Sequence, residues 1–86
     1  MNLSLPRYIY HNQLVQVGGG WVAEVIVFVP IGQATTEYRK ALGEFVREFT
    51  EGWVHPAAIA RAIGRTFRVE CEVTVEGHTY QSFGGR

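Results

Sequence analysis

Residues Tyr8 to Pro30 read YIYHNQLVQVGGGWVAEVIVFVP, two runs rich in β-branched and aromatic residues separated by three glycines. Such runs are typical of β-strands, and the glycines Gly18 to Gly20 predict a three-residue hairpin loop between them. That loop sets Val17 opposite Trp21, and Pro30 ends the second strand. Because side chains alternate along a strand, the pairing assigns every residue of the hairpin to one of two faces.

Both faces of this hairpin are substantially apolar. The first face is predicted to lie under the helices and carries Ile9, His11, Gln13, Val15, Val17, Trp21, Ala23, Val25, Val27 and Val29. The second face carries Tyr10, Asn12, Leu14, Gln16, Val22, Glu24, Ile26 and Phe28. In a protein of two layers no helix remains to cover this second face, because two helices cannot shelter both sides of four strands.

Two helices are predicted after the hairpin. The first has an apolar stripe at helical spacing, a cap at Thr35 or Thr36 and an end at Gly52; its stripe is Tyr38, Ala41, Leu42, Phe45, Val46 and Phe49. The second is predicted in PAAIARAIG, with Pro56 in its first turn and Gly64 just past its end. Its predicted apolar side is Ile59, Ala62 and Ile63.

The last third of the chain alternates between apolar and polar residues from Phe67 to Val75, which predicts a third strand. Glu76-Gly77 is a two-residue turn candidate that leads into a fourth strand from His78 to Phe83. The predicted fold is therefore α+β, a two-layer sandwich of a mostly antiparallel four-stranded sheet with two helices on one face, in the order β-β-α-α-β-β.

Composition bounds the function. The chain has 86 residues, which we expect to form a single domain over 1–86, and equal numbers of basic and acidic residues, so net charge gives no attraction to nucleic acid or membrane. All eight acids are Glu. The single cysteine, Cys71, excludes an intrachain disulfide and favours a reducing cytoplasm. We predict no signal peptide and no membrane span.

The uncovered second face is the predicted functional surface. Its partner-binding residues are Tyr10, Leu14, Val22, Glu24, Ile26 and Phe28, with Arg68, Glu70 and Glu72 as a polar rim. We expect a small non-enzymatic protein-binding module, acting as an inhibitor, adaptor or accessory subunit, including the kind found in phages. Its partner is another protein or a second copy in a homodimer. The alternative is an ordinary central strand with some exposed aliphatic side chains.

Catalytic and metal-binding patterns are weak in this sequence. His11, His55 and His78 have no second ligand at a suitable spacing on the same element, so no metal site or cofactor is predicted. The turn at Glu76-Gly77 pairs Val75 with His78 and leaves Cys71 two pleats away, which disfavours a Cys-His dyad. Glu70 and Glu72 share a strand face, where solvation explains them better than acid–base chemistry.

Two alternative functions come from other parts of the chain. Arg61, Arg65 and Arg68, combined with Tyr8, Tyr10 or Phe28 on a sheet surface, would suit a protein that binds single-stranded nucleic acid. A hairpin, a helix, further strands and the terminal Gly84-Gly85 are together similar to ubiquitin-like modifiers and sulfur carriers. That resemblance implies a diglycine tail that enters an activating enzyme once Arg86 has been removed.

Overall fold

The computed structural model describes residues 8–17, 20–48 and 54–83. The strands are β1 (Tyr8–Val17), β2 (Trp21–Pro30), β3 (Glu70–Val75) and β4 (His78–Phe83), and the helices are α1 (Thr36–Arg47) and α2 (Pro56–Phe67). A short 3₁₀ turn, Ile31–Gln33, separates β2 from α1. The predicted order β-β-α-α-β-β and the α+β class are confirmed.

The four strands form one antiparallel sheet in the order β1-β2-β3-β4. Val17 pairs with Trp21 as the glycine loop predicts, although Gly18 and Gly19 themselves lie outside the described residues. The connection from β2 to β3 contains both helices, and it returns the chain to the edge of the hairpin formed by β2. The last turn has positive φ at both Glu76 (51°) and Gly77 (84°), the backbone shape that a two-residue hairpin loop favours.

The core lies between the helices and one face of the sheet, which we call the inner face. From the sheet it contains Val15, Val17, Ala23, Val25, Val27, Val29, Cys71 and Val73; the helices add Leu42, Val46, Ile59, Ala60 and Ile63, and Val69 joins from the connection before β3. All of these side chains are buried. Burial of this apolar surface is the main favourable term in folding.

Each helix begins at a capping side chain, Thr35 for α1 and His55 for α2. The Thr35 hydroxyl accepts a hydrogen bond from the Tyr38 amide at 3.1 Å, so α1 begins as predicted. Before α2, the ring Nδ1 of His55 accepts from the Ala57 amide at 3.1 Å, and Pro56 occupies the first helical turn. The predicted end of α1 at Gly52 lies outside the described residues.

The predicted boundary between α2 and β3 is wrong. Gly64 does not end α2: the helix continues to Phe67, and Arg68 ends it with a left-handed φ of 55°. The cause is tertiary, since the Phe67 ring packs edge-on against Tyr38 and Phe45 with centroids 5.5 and 5.4 Å apart. Such aromatic contacts offset the cost of a glycine inside a helix, about 1 kcal/mol. The third strand consequently starts at Glu70 and not at Phe67.

Helix α1 approaches β1 at Gly43. The Gln13 side-chain amide donates to the Gly43 carbonyl at 3.5 Å, and a Cβ built on Gly43 would lie 3.6 Å from Gln13 Oε1 and 4.0 Å from His11 Cε1. These distances are ordinary van der Waals contacts, so the position tolerates a methyl group. Glycine is nonetheless the poorest helix former after proline.

We expect Gly43→Ala to raise the free energy of unfolding by about 0.5–1 kcal/mol, because alanine loses less backbone entropy in a helix. The matched control is Gly77→Ala, where nothing lies within 4 Å of the added Cβ but φ is 84°. That variant should be about 1–2 kcal/mol less stable than the unmodified protein, because of backbone strain alone. Urea unfolding followed by circular dichroism measures both, and a destabilised Gly43→Ala would show that α1 cannot accept the methyl group.

Candidate functional site

The outer face is the side of the sheet opposite the helices. Strand register places three rows of residues across it: Tyr10, Phe28, Glu70 and Phe83; Asn12, Ile26, Glu72 and Gln81; and Leu14, Glu24, Thr74 and Thr79. Gln16 and Val22 form a shorter row beyond the third. These residues alternate with the buried ones along each strand, so they lie on the face that neither helix covers.

Apolar side chains on this face are partly or largely open to solvent. Leu14 is 71% exposed and Val22 54% exposed, while Ile26 and Phe28 are half-buried. Leu14 of β1 pairs with Glu24 of β2, and Val22 lies two residues before Glu24 on β2. The outer face therefore has an apolar side, on β1 and β2, that the fold itself leaves accessible.

The acidic residues of the outer face lie on the two central strands. Glu24 and Glu72 are half-buried and Glu70 is exposed. The Asn12 side-chain amide donates to Glu24 Oε2 at 3.2 Å, and the Gln81 amide donates to Glu72 Oε2 at 3.0 Å. These amides orient the two carboxylates without neutralising them, because a neutral donor leaves the negative charge in place.

Positive charge lies on the other side of the molecule. Among the described residues every Lys and Arg belongs to a helix or to its cap: Arg39, Lys40, Arg47, Arg61, Arg65 and Arg68. The described strands contain Glu24, Glu70 and Glu72 but neither Lys nor Arg. Glu37, Glu44 and Glu48 balance the basic residues of α1, so the excess positive charge of the helix layer lies on α2 and its cap, opposite the acidic strands.

Most residues predicted for partner binding share the outer face. Leu14, Val22, Glu24, Ile26 and Phe28 lie there with Glu70 and Glu72, and Tyr10 occupies a register position opposite Phe28. Arg68 does not belong to this set, because it caps α2 two residues before β3 begins. Sequence reasoning missed the amide partners Asn12 and Gln81. The turn at Glu76-Gly77 could have predicted the second of these partners. It sets Val75 opposite His78, and counting three residues away from the turn on each strand sets Glu72 opposite Gln81.

The arginines predicted for nucleic-acid binding are not brought to the aromatic residues of the sheet. Arg61 and Arg65 are exposed on α2, which packs on the inner face, whereas Phe28 lies on the outer face. A single strand of nucleic acid could not contact both groups without passing around the edge of the sheet. The diglycine Gly84-Gly85 lies outside the described residues. The presence of α2 is a departure from the resemblance to ubiquitin-like proteins.

Cys71 is a buried thiol in the core, 1% exposed. Burial raises its pKa to about 12, a hydrogen bond from the Gly64 backbone lowers it, and the nearby Glu72 charge raises it further. The thiol donates to the Ala60 carbonyl at 3.2 Å. Cys71 pairs with Ser82 on β4, while His78 pairs with Val75, so the thiol and the imidazole are separated along the sheet. A protonated, enclosed thiol is a poor nucleophile.

Two further features lie on the helix side. An open cleft of about 240 Å³ is lined by Trp21, His55, Pro56, Val75, Glu76, His78 and Tyr80, and the His55 and Tyr80 rings meet edge-on at 5.3 Å. The Tyr38 hydroxyl is buried and has no hydrogen-bond partner among the described residues. Within the described ranges no three His, Cys or Glu side chains are grouped so that they could hold a metal ion.

No described helix is long and apolar enough to cross a membrane. No protein-family model, no curated protein and no solved structure matches this chain.

Proposed function

We propose that this protein is a small, non-enzymatic protein-binding module whose contact surface is the outer face. The observation that carries the proposal is a sheet face that neither α1 nor α2 covers, on which Leu14 and Val22 remain 71% and 54% exposed. Large apolar side chains gathered on one face are typical of surfaces that meet a partner. Burial of each would contribute roughly 1.5–3 kcal/mol to a complex.

The charges on this face favour a basic partner. Glu24, Glu70 and Glu72 lie together on β2 and β3, and the described strands supply no Lys or Arg to balance them. A partner segment with Lys or Arg beside an apolar residue would match both the carboxylates and the apolar side of the face. Nucleic acid, which is negatively charged, would be repelled from the same surface.

The cellular setting and role follow the same proposal. A single buried thiol suits a reducing compartment such as the cytoplasm. A module with one contact face acts by occupying or bridging another protein's surface, so inhibitor, adaptor and accessory subunit are the roles it fits.

Selection from a library of random dodecapeptides tests the proposal. We expect the selected peptides to combine Lys or Arg with large apolar residues, and to shift the amide resonances of β2 and β3 in NMR spectra of the labelled protein. Val22→Lys should weaken their binding by about tenfold or more, because it places a positive charge beside Glu24 that repels the cationic peptides and removes an apolar contact.

The matched control is Ile31→Lys. Ile31 is 51% exposed, close to the 54% of Val22, but it lies in the 3₁₀ turn outside the sheet. Peptide affinity should be unchanged in this variant. Peptides that bind Val22→Lys as tightly as the unmodified protein, or a library that yields no binder, would contradict the proposal.

A further inference from the structure

We infer that β1 is a dimerisation edge, at which β1 of a second copy adds in antiparallel orientation to give a continuous eight-stranded sheet. Strand β1 is at one end of the sheet order and pairs only with β2 among the described strands. All ten of its residues are paired with β2 in an unbroken register. About half of the main-chain N–H and C=O groups of such a strand point away from its single neighbour.

Within its described residues, this edge lacks three of the devices by which soluble proteins prevent further strand pairing. Native edge strands are kept short, interrupted by a bulge or proline, or given charged side chains. Residues Tyr8 to Val17 read YIYHNQLVQV, with no Lys, Arg, Asp, Glu or Pro. The register with β2 has no bulge. The opposite edge, β4, is only six residues long, so it would form fewer main-chain hydrogen bonds with an added strand.

A second copy fits this edge better than it fits the outer face. An isologous contact places the same surface on both sides, so two outer faces pressed together would set Glu24, Glu70 and Glu72 against the same residues of the other copy. Between Tyr8 and Val17, the described length of the β1 edge, there is no Lys, Arg, Asp or Glu to repel its copy. The carboxylates of β2 would remain one strand back on each side, about 14 Å apart at a strand spacing of ~4.8 Å.

Side-chain alternation also permits the pairing. If residues of even number face residues of even number, the inner faces of the two copies stay on one side of the joint sheet and the outer faces on the other. The two-fold axis is then perpendicular to the sheet. Leu14, 71% exposed in one copy, would acquire cross-strand neighbours from β1 of the second copy. The inference is independent of the identity of any other partner of the outer face.

Three lysine substitutions separate edge pairing from contact between faces. Ile9 and Leu14 lie on opposite faces of β1, whereas Val22 lies on the outer face of β2; they are 37%, 71% and 54% exposed. We expect sedimentation equilibrium of the unmodified chain to give twice its mass of 9.7 kDa. Ile9→Lys and Leu14→Lys should each raise the dimer dissociation constant about tenfold or more, and Val22→Lys should leave it within about twofold.

Mixing complementary variants provides a positive test. Leu14→Lys and Leu14→Glu should each dimerise weakly, and an equimolar mixture of the two should form a heterodimer more readily, because the two substituted side chains lie on the same face of the joint sheet, where unlike charges attract and like charges repel. Circular dichroism of each variant must match the unmodified protein, and its urea midpoint must match that of the unmodified chain diluted below its dimer dissociation constant, so that loss of the dimer does not reflect loss of the fold. A monomeric unmodified chain at millimolar concentration would overturn the inference. So would a dimer that Val22→Lys dissociates and Ile9→Lys does not.

Discussion

Leu42→Ala is expected to lower the free energy of unfolding by about 2–5 kcal/mol, the usual cost of truncating a fully enclosed leucine. Leu42 is 0% exposed and is the largest of the fully buried side chains. It lies on α1, above the inner face of the sheet. Because a small domain has a total stability of about 0.05–0.15 kcal/mol per residue, this single change would remove a large part of it.

The same substitution at Leu14 is the matched control. Leu14 is 71% exposed on the outer face, so Leu14→Ala should change the free energy of unfolding by less than about 0.5 kcal/mol. Chemical unfolding in urea, with the monomer and dimer populations held the same, measures both variants. Equal losses at the two positions would mean that the outer face is covered in solution and that the assignment of inner and outer faces is incomplete.

Stability is expected to fall in alkali because of Cys71. The thiol pKa is about 12 in the folded chain, against an ordinary value of 9.0. Above pH 9 the unfolded chain loses the proton while the folded chain retains it, so the unfolded state becomes favoured as pH rises. The contribution of the Cys71 thiol to the free energy of unfolding is fully present below pH 9. Above pH 9 it falls by about 1.4 kcal/mol per pH unit, until the thiol of the folded chain ionises near pH 12.

Comparison with Cys71→Ala isolates this contribution, since other groups titrate in the same range. The Tyr38 pKa, for example, is also raised by burial. We expect the difference in unfolding free energy between the two proteins to be constant from pH 7 to 9 and to change in favour of Cys71→Ala above pH 9. Urea unfolding under reducing conditions from pH 7 to 10.5 measures it. Parallel curves over that whole range would show that the thiol is not buried as the structure places it.

The sequence predicts the sheet well because its constraints are local. A three-residue glycine loop fixes Val17 opposite Trp21, and alternation then assigns each residue of β1 and β2 to a face. The same counting from the turn at Glu76-Gly77 fixes the register of β3 with β4. The two faces of each hairpin follow from these two turns, but the strand order does not, because a crossover through two helices could place β3 beside either β1 or β2.

The failures concern contacts between distant segments. Gly64 is a reasonable helix end by local rules, yet α2 continues because Phe67 packs against Tyr38 and Phe45 of the other helix. The placement of Arg68 on the sheet surface fails for the same reason, since it caps the lengthened helix. The amides that hold Glu24 and Glu72 come from the two edge strands. Register places Gln81 opposite Glu72 but leaves Asn12 diagonal to Glu24, and register alone does not tell that either pair forms a hydrogen bond.

The separation of the acidic strands from the basic helix α2 gives the described part of the molecule an electric dipole directed from the sheet towards that helix. A neutral protein with such a dipole exerts little pull at long range, but it rotates in the field of a charged partner as the two approach. A cationic chain would meet the sheet first and an anionic one the helices. Added salt would blunt this alignment, because the Debye length near physiological ionic strength is about 8 Å.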